Sequence, residues 1–172
     1  MAEANGGADQ AGGAQPEQIQ INVVAQYTKD LSFEAPESPA IFGILQEGKQ
    51  PEINVNINVR AAQGEQNLNE VVLHIDAKCT VEGKTAFIVE LDFGGLVQAN
   101  TTSDQLQFVL LVEVPRMLFP FARNIIAEVT RDGGFMPLML GPVDFLAMMR
   151  DSIASQADAM AEGLESAAKA DA

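Results

Sequence analysis

From Ile19 to Ala35 the chain alternates. Ile19, Ile21, Val23, Ala25, Tyr27, Leu31 and Phe33 hold odd positions, against Gln20, Asn22, Gln26, Thr28, Asp30, Ser32 and Glu34 at even ones. Only Val24 and Lys29 break the rule. The same period of two returns three times. Ile53, Val55, Ile57 and Val59 oppose Asn54, Asn56, Asn58 and Arg60. Val71, Leu73, Ile75, Ala77, Cys79 and Val81 oppose His74, Asp76, Lys78, Thr80 and Glu82, and Phe87, Val89, Leu91 and Phe93 oppose Ala86, Ile88, Glu90 and Asp92. A period of two puts alternate side chains on opposite faces of a strand, so four amphipathic strands predict an antiparallel sheet with one wet face. Gly83-Lys84 fits a two-residue type II′ turn between the third and fourth strands.

Beyond Gly94-Gly95 the period lengthens. Ser103 is placed to cap a short apolar helix ending near Glu113. Pro115 suits the first turn of a longer helix to about Asp132, closed by Gly133-Gly134. Leu118, Phe121, Ala122, Ile125, Ile126 and Val129 form its apolar stripe, and Pro120 within it predicts a bend. Asp144 is a candidate cap for a last helix carrying Phe145, Met148, Met149 and Ile153. Strands followed by helices predict an α+β domain: a four-stranded antiparallel sheet with one face covered by two or three helices.

Composition narrows the function. The 172 residues carry 10 basic and 24 acidic side chains, one His, one Cys and a formal net charge of −14. No basic field exists to displace counterions from phosphates, which argues against nucleic acid as a partner. One Cys and one His do not make a four-ligand zinc site, and no nucleophile constellation accompanies His74, so neither a metal, a cofactor nor an enzymatic activity is expected. His74 reads as an exposed sheet histidine and Cys79 as a buried small hydrophobe. The longest apolar run, Phe108–Val112, is far below the roughly 20 residues that span a bilayer. The first residues have neither a charged nor an apolar leader region, and a cytoplasmic location is expected. Residues 1–18, rich in Ala, Gly and Gln, are expected to be a disordered arm, 19–150 the folded domain, and 151–172 an acidic, Ala-rich tail.

Three features of the domain stand out. About twenty large apolar side chains on one sheet face are more than a short and a bent helix are expected to cover, so self-association is anticipated. The connection from Pro36 to Pro51 is long for a loop and carries Phe42, Ile44 and Leu45; with Phe135, Met136, Leu138 and Met139 it forms a second apolar stock, a candidate client groove. On the wet face Ile88 stands between acids, an apolar anchor ringed by charge that suits a basic partner.

Several motifs together resemble the SecB family of protein-export chaperones: Tyr27–Pro36 (YTKDLSFEAP), Gln50-Pro51-Glu52, Thr85-Ala86-Phe87, Gly94-Gly95, Leu118–Arg123 (LFPFAR) and Gly141–Phe145 (GPVDF). The resemblance covers residues 19–150. It implies a homotetramer, a dimer of dimers whose helices lie between two larger sheets. It also implies an ATP-independent, metal-free holdase that keeps unfolded precursor proteins translocation-competent in the cytosol and hands them to the SecA translocation ATPase. Family positions for SecA docking map onto Asp30, Glu34, Ile88 and Glu90, and positions linked to the tetramer onto Val89 and Leu91. Leu118, Phe121 and Ile125 are expected to join that tetramer interface. The family often carries a Trp before the second strand; none is present here, and Phe42, Ile44 and Leu45 stand in its region. Two alternatives stay open: a SecB-like chaperone dedicated to a toxin–antitoxin system or another single client, and a small-ligand-binding α+β domain.

Overall fold

The computed structural model of the protein describes residues 19–155, so the expected arm 1–18 and the tail beyond residue 155 lie outside the described residues. Four strands, β1 (Gln20–Glu34), β2 (Glu52–Gln63), β3 (Leu68–Val81) and β4 (Lys84–Asn100), form one antiparallel sheet in the order β1-β4-β3-β2. Helices α2 (Ser103–Phe108) and α3 (Val114–Asp132) and a last helix α4 (145–155) follow the sheet, as an α+β arrangement requires.

Several local expectations are corrected. Positive φ falls on Glu82 and Gly83, with Val81 paired to Lys84, so the β3–β4 turn is a type I′ turn over Glu82-Gly83. Gly94-Gly95 does not end β4; the strand runs five residues further to Asn100. Glycine is needed there because a Cβ on Gly94 would lie 2.7 Å from the Tyr27 ring, and one on Gly95 2.8 Å from Leu118 Cδ2. Ser103 is the first residue of α2 and does not cap it; Thr102, extended at ψ 156°, holds the cap position. No break separates α2 from α3. A π-helical turn, Val109–Glu113, joins them into one helical run, and its wider spacing sits just before Pro115, which has no N–H to donate.

The two interruptions in the β1 alternation are structural. Register slips between Val23 and Ala25 and between Thr28 and Asp30, so Val24 and Lys29 are the extra residues of two β-bulges. Between them the faces are exchanged: Tyr27 pairs with Gly94 and Ala25 with Leu96 on the outer face, while Thr28 pairs with Phe93 on the helix face. The placement of Tyr27 and Ala25 with the other odd, core-facing residues is thereby overturned. A one-residue slip turns every side chain over, and a second slip restores the original face.

The helical layer buries the two central strands completely and the edges only partly. Leu73, Ile75, Val89, Leu91 and Leu118 are 0% exposed, whereas Leu31 on β1 is 41% exposed and Ile53 on β2 44%. Because β1 and β2 occupy opposite edges, the link between them must cross about 14 Å of sheet. That crossing accounts for the length of the 36–51 connection. Its middle folds as a short helix, α1 (Ala40–Gln46), pinned by the fully buried Ile41.

Candidate functional site

Paired residues of an antiparallel sheet point to the same face, so the register lays out the outer surface row by row. One row reads Asp30, Asp92, His74, Asn58 across the four strands; the next Ser32, Glu90, Asp76, Asn56; the third Glu34, Ile88, Lys78, Asn54. All four residues assigned to docking, Asp30, Glu34, Ile88 and Glu90, therefore share one face within three successive rows. Asp30, Glu34 and Glu90 are exposed and Ile88 is half-buried.

The charges of this face fall into two groups. Arg60 Nη2 lies 2.7 Å from Asp92 Oδ2 and His74 Nδ1 2.6 Å from Asp92 Oδ1. Burial pushes the Asp92 carboxyl up, but the His74 hydrogen bond and the Arg60 guanidinium outweigh it and hold the group below its ordinary value. Lys29 Nζ reaches Glu70 at 2.8 and 2.9 Å, and the Tyr27 hydroxyl donates to the same carboxylate. These bonds lower the Glu70 carboxyl, the Lys29 bond most, and the Glu70 bond raises the Tyr27 phenol to about 12. Asp30, Glu34 and Glu90 differ: among the described residues none of them forms an ion pair. The network thus neutralises Asp92 and Glu70 and, among the described residues, leaves Asp30 beside it and Glu34 and Glu90 next to Ile88 without ion pairs.

A second surface forms on the helix side of the sheet, at the end where Phe33 and Phe87 adjoin Glu34 and Ile88. The C-terminus of α3 closes with Phe135 N–H donating to Thr130 O at 3.1 Å and Gly134 N–H to Arg131 O at 2.9 Å, and Gly134 takes the left-handed φ of +87° that such a closure demands. The 135–142 segment then folds back. Phe135 meets Phe42 of α1 at 5.0 Å and Phe87 at 5.0 Å, and Phe33 stacks on Phe87 at 5.9 Å. A Cβ on Gly133 would fall 2.3 Å from the Phe33 ring, so only glycine admits this cluster. Phe42, Ile44, Leu45, Phe135 and Leu138 are half-buried, while Met136 and Met139 are 87% and 60% exposed. The α1 and 135–142 segments are thus brought together by aromatic contact, and Phe33 and the buried Phe87, absent from the sequence-based groove, support it from the sheet beneath.

Thr130 was also missed. It is fully buried; its hydroxyl donates to Ile126 O at 2.8 Å and accepts the Leu138 N–H at 2.9 Å, tying the 135–142 segment to α3. Asp144 accepts from the Leu146 and Ala147 amides at 3.1 and 3.0 Å and caps α4 as expected.

Of the expected assembly residues, Val89, Leu91 and Leu118 are wholly inside the subunit's own core. Direct contact by their side chains with a second copy is ruled out in this conformation; they shape the helical layer from beneath. Phe121, 53% exposed, and the half-buried Ile125 do reach the surface of α3.

A family model described as "Preprotein translocase subunit SecB" matches residues 14–156. The "Protein-export protein SecB" of Rhodospirillum rubrum is 46% identical over 147 residues, 85% of this chain and 91% of that protein. That of Parvibaculum lavamentivorans is 45% identical over 159 residues, 91% of this chain and 94% of that protein. Among solved structures, the Mycobacterium tuberculosis Rv1957 SecB-like chaperone, in complex with a ChAD peptide from the Rv1956 HigA1 antitoxin, superposes with a TM-score of 0.55 at 13% identity, covering 72% of this chain and 91% of that one. Its likeness extends to the fold. The chain belongs to the SecB family of protein-export chaperones.

Proposed function

We propose that this chain is an ATP-independent, non-enzymatic holdase of the cytosol that uses its two surfaces for two partners. Unfolded precursor proteins bury apolar segments against Phe42, Ile44, Leu45, Phe135, Met136, Leu138 and Met139, a surface of half-buried aromatics and exposed thioethers that adapts to varied sequences. Asp30, Glu34 and Glu90, on the same face as the apolar Ile88, receive a cationic patch of SecA, to which the client passes. The observation that carries this reading is that, among the described residues, those three carboxylates form no ion pair beside a network that satisfies their neighbours. A carboxylate already bonded to Arg60 or Lys29 gains little from a partner's cation; a free one gains a pair.

Assembly as a homotetramer, a dimer of dimers, accounts for the uncovered apolar edges at Leu31, Ile53 and Val55 and for Phe121 on α3. Kinship at 45–47% identity with proteins named for export supports the general export role over service to one dedicated client.

Replacing Asp30 and Glu90 together by Lys tests the division. Both side chains are exposed, so the fold is spared. SecA affinity falls by about tenfold or more, while affinity for a reduced, unfolded protein stays within about twofold. Equal loss of both would put docking and client binding on one surface; loss of neither would remove the acidic face from the function.

A further inference from the structure

The chain has a single cysteine, Cys79, and it is shut away: 3% exposed, with burial pushing its thiol above the ordinary range. Oxidants in solution therefore meet the thioethers first. Those differ sharply. Met136 is 87% exposed, Met139 60% and Met117 41%, whereas Met148 and Met149 are partly buried against the core. Among the described residues the two most exposed methionines lie in the one segment whose apolar character the holdase reading requires. They flank Leu138, which the Thr130 hydroxyl anchors, and adjoin Phe135 of the aromatic cluster. Neither side chain is buried in the core.

We propose that Met136 and Met139 form an oxidation site through which hydroperoxides reversibly lower client binding. The inference rests on the groove reading given above. In the reaction the thioether sulfur attacks one peroxide oxygen; the S–O bond forms as the O–O bond breaks. Sulfur loses two electrons, the peroxide gains them, and the proton on the transferred oxygen passes to the departing hydroxide, giving sulfoxide and water. A flexible apolar side chain becomes a polar one that no longer favours burial against a client's apolar segment. Because both residues are exposed, the change acts on the surface and leaves the core intact.

The test uses the full chain, hydrogen peroxide as oxidant and reduced, carboxymethylated α-lactalbumin as client. Peptide mass mapping is expected to show sulfoxide at Met136 and Met139 before Met148 and Met149. Client affinity is expected to fall about tenfold in step with it, the urea midpoint to stay unchanged, and methionine sulfoxide reductases to restore binding. In Met136→Leu/Met139→Leu the affinity, whatever its starting level, is expected not to respond to peroxide. Oxidation of Met148 or Met149 first, or a doubly oxidised protein that binds client as before, would overturn the proposal. A separate arm isolates the groove reading: unoxidised Met136→Lys/Met139→Lys loses client affinity if the groove is correct. Unchanged affinity there refutes the groove; a loss there with no effect of sulfoxidation refutes the oxidation site alone.

Discussion

Replacing Gly95 by Ala probes how closely the helical layer sits on the sheet. Gly95 lies on the helix face of β4, and an added Cβ would stand 2.8 Å from Leu118 Cδ2 and 3.0 Å from Cδ1, in a site where Leu118 is 0% exposed. A methyl forced into such a closed contact costs about 1–3 kcal/mol. The backbone there is extended, so alanine introduces no strain and returns roughly 0.4–1 kcal/mol by restricting the unfolded chain. The net expectation is a loss of about 1–2 kcal/mol, which at a urea slope near 2 kcal/mol/M moves the midpoint down by roughly 0.5–1 M. The assay is urea unfolding at one fixed protein concentration, because self-association would otherwise move the midpoint. Gly94→Ala is the internal control: its methyl meets the half-buried Tyr27 ring on the outer face rather than a side chain sealed in the core, and the loss is expected to be smaller. Adding Leu118→Val to Gly95→Ala relieves the crowding, so the double variant should be more stable than the two single losses sum to. A Gly95→Ala protein as stable as the parent, or losses that simply add, would refute the packing described here.

Further predictions concern the two surfaces. Thr130→Val leaves the Leu138 N–H without its acceptor in a buried setting, for a loss of about 1–3 kcal/mol; amide exchange at Leu138 should speed up together with that of the 135–142 segment. Glu70→Gln removes both the acceptor charge and its repulsion of the phenolate, so the Tyr27 pKa should fall from about 12 toward 10. Tyr27 is the only tyrosine and there is no tryptophan, which makes ultraviolet absorbance a direct readout. The sign follows from the shift: a phenol raised from 10.0 to about 12 stabilises the folded chain below pH 10, and that contribution disappears as pH climbs through 12. Glu70, held low by Lys29 and then Tyr27, contributes above its ordinary pKa and loses that contribution as the solution is acidified.

The alternation of apolar and polar residues is a direct consequence of the pleat, so all four strands and the wet face outside the segment between the β1 bulges were legible in the chain. Even the bulges left a mark, since Val24 and Lys29 are the two residues that spoil the pattern. Their effect on Tyr27 was not legible, because a register slip is fixed by the partner strand. Gly94-Gly95 reads as a terminator by local preference; only the Tyr27 ring on one side and Leu118 on the other show why a strand needs glycine there. The helix α1 has no side-chain cap hydrogen bond and only seven residues, so it left no boundary signal. Thr130 is an ordinary polar residue near a helix end until the chain folds back eight residues later. Likewise, which carboxylates stay free depends on cross-strand distances that no spacing rule supplies.

The account turns on two partners using two separate surfaces, and amide hydrogen exchange tests it in one experiment. The full chain is measured alone, with a reduced unfolded client, and with SecA. The client should slow exchange in 40–46 and 135–142, and SecA should slow it in 30–34 and 88–90. Protection of the same segments by both partners would contradict the account.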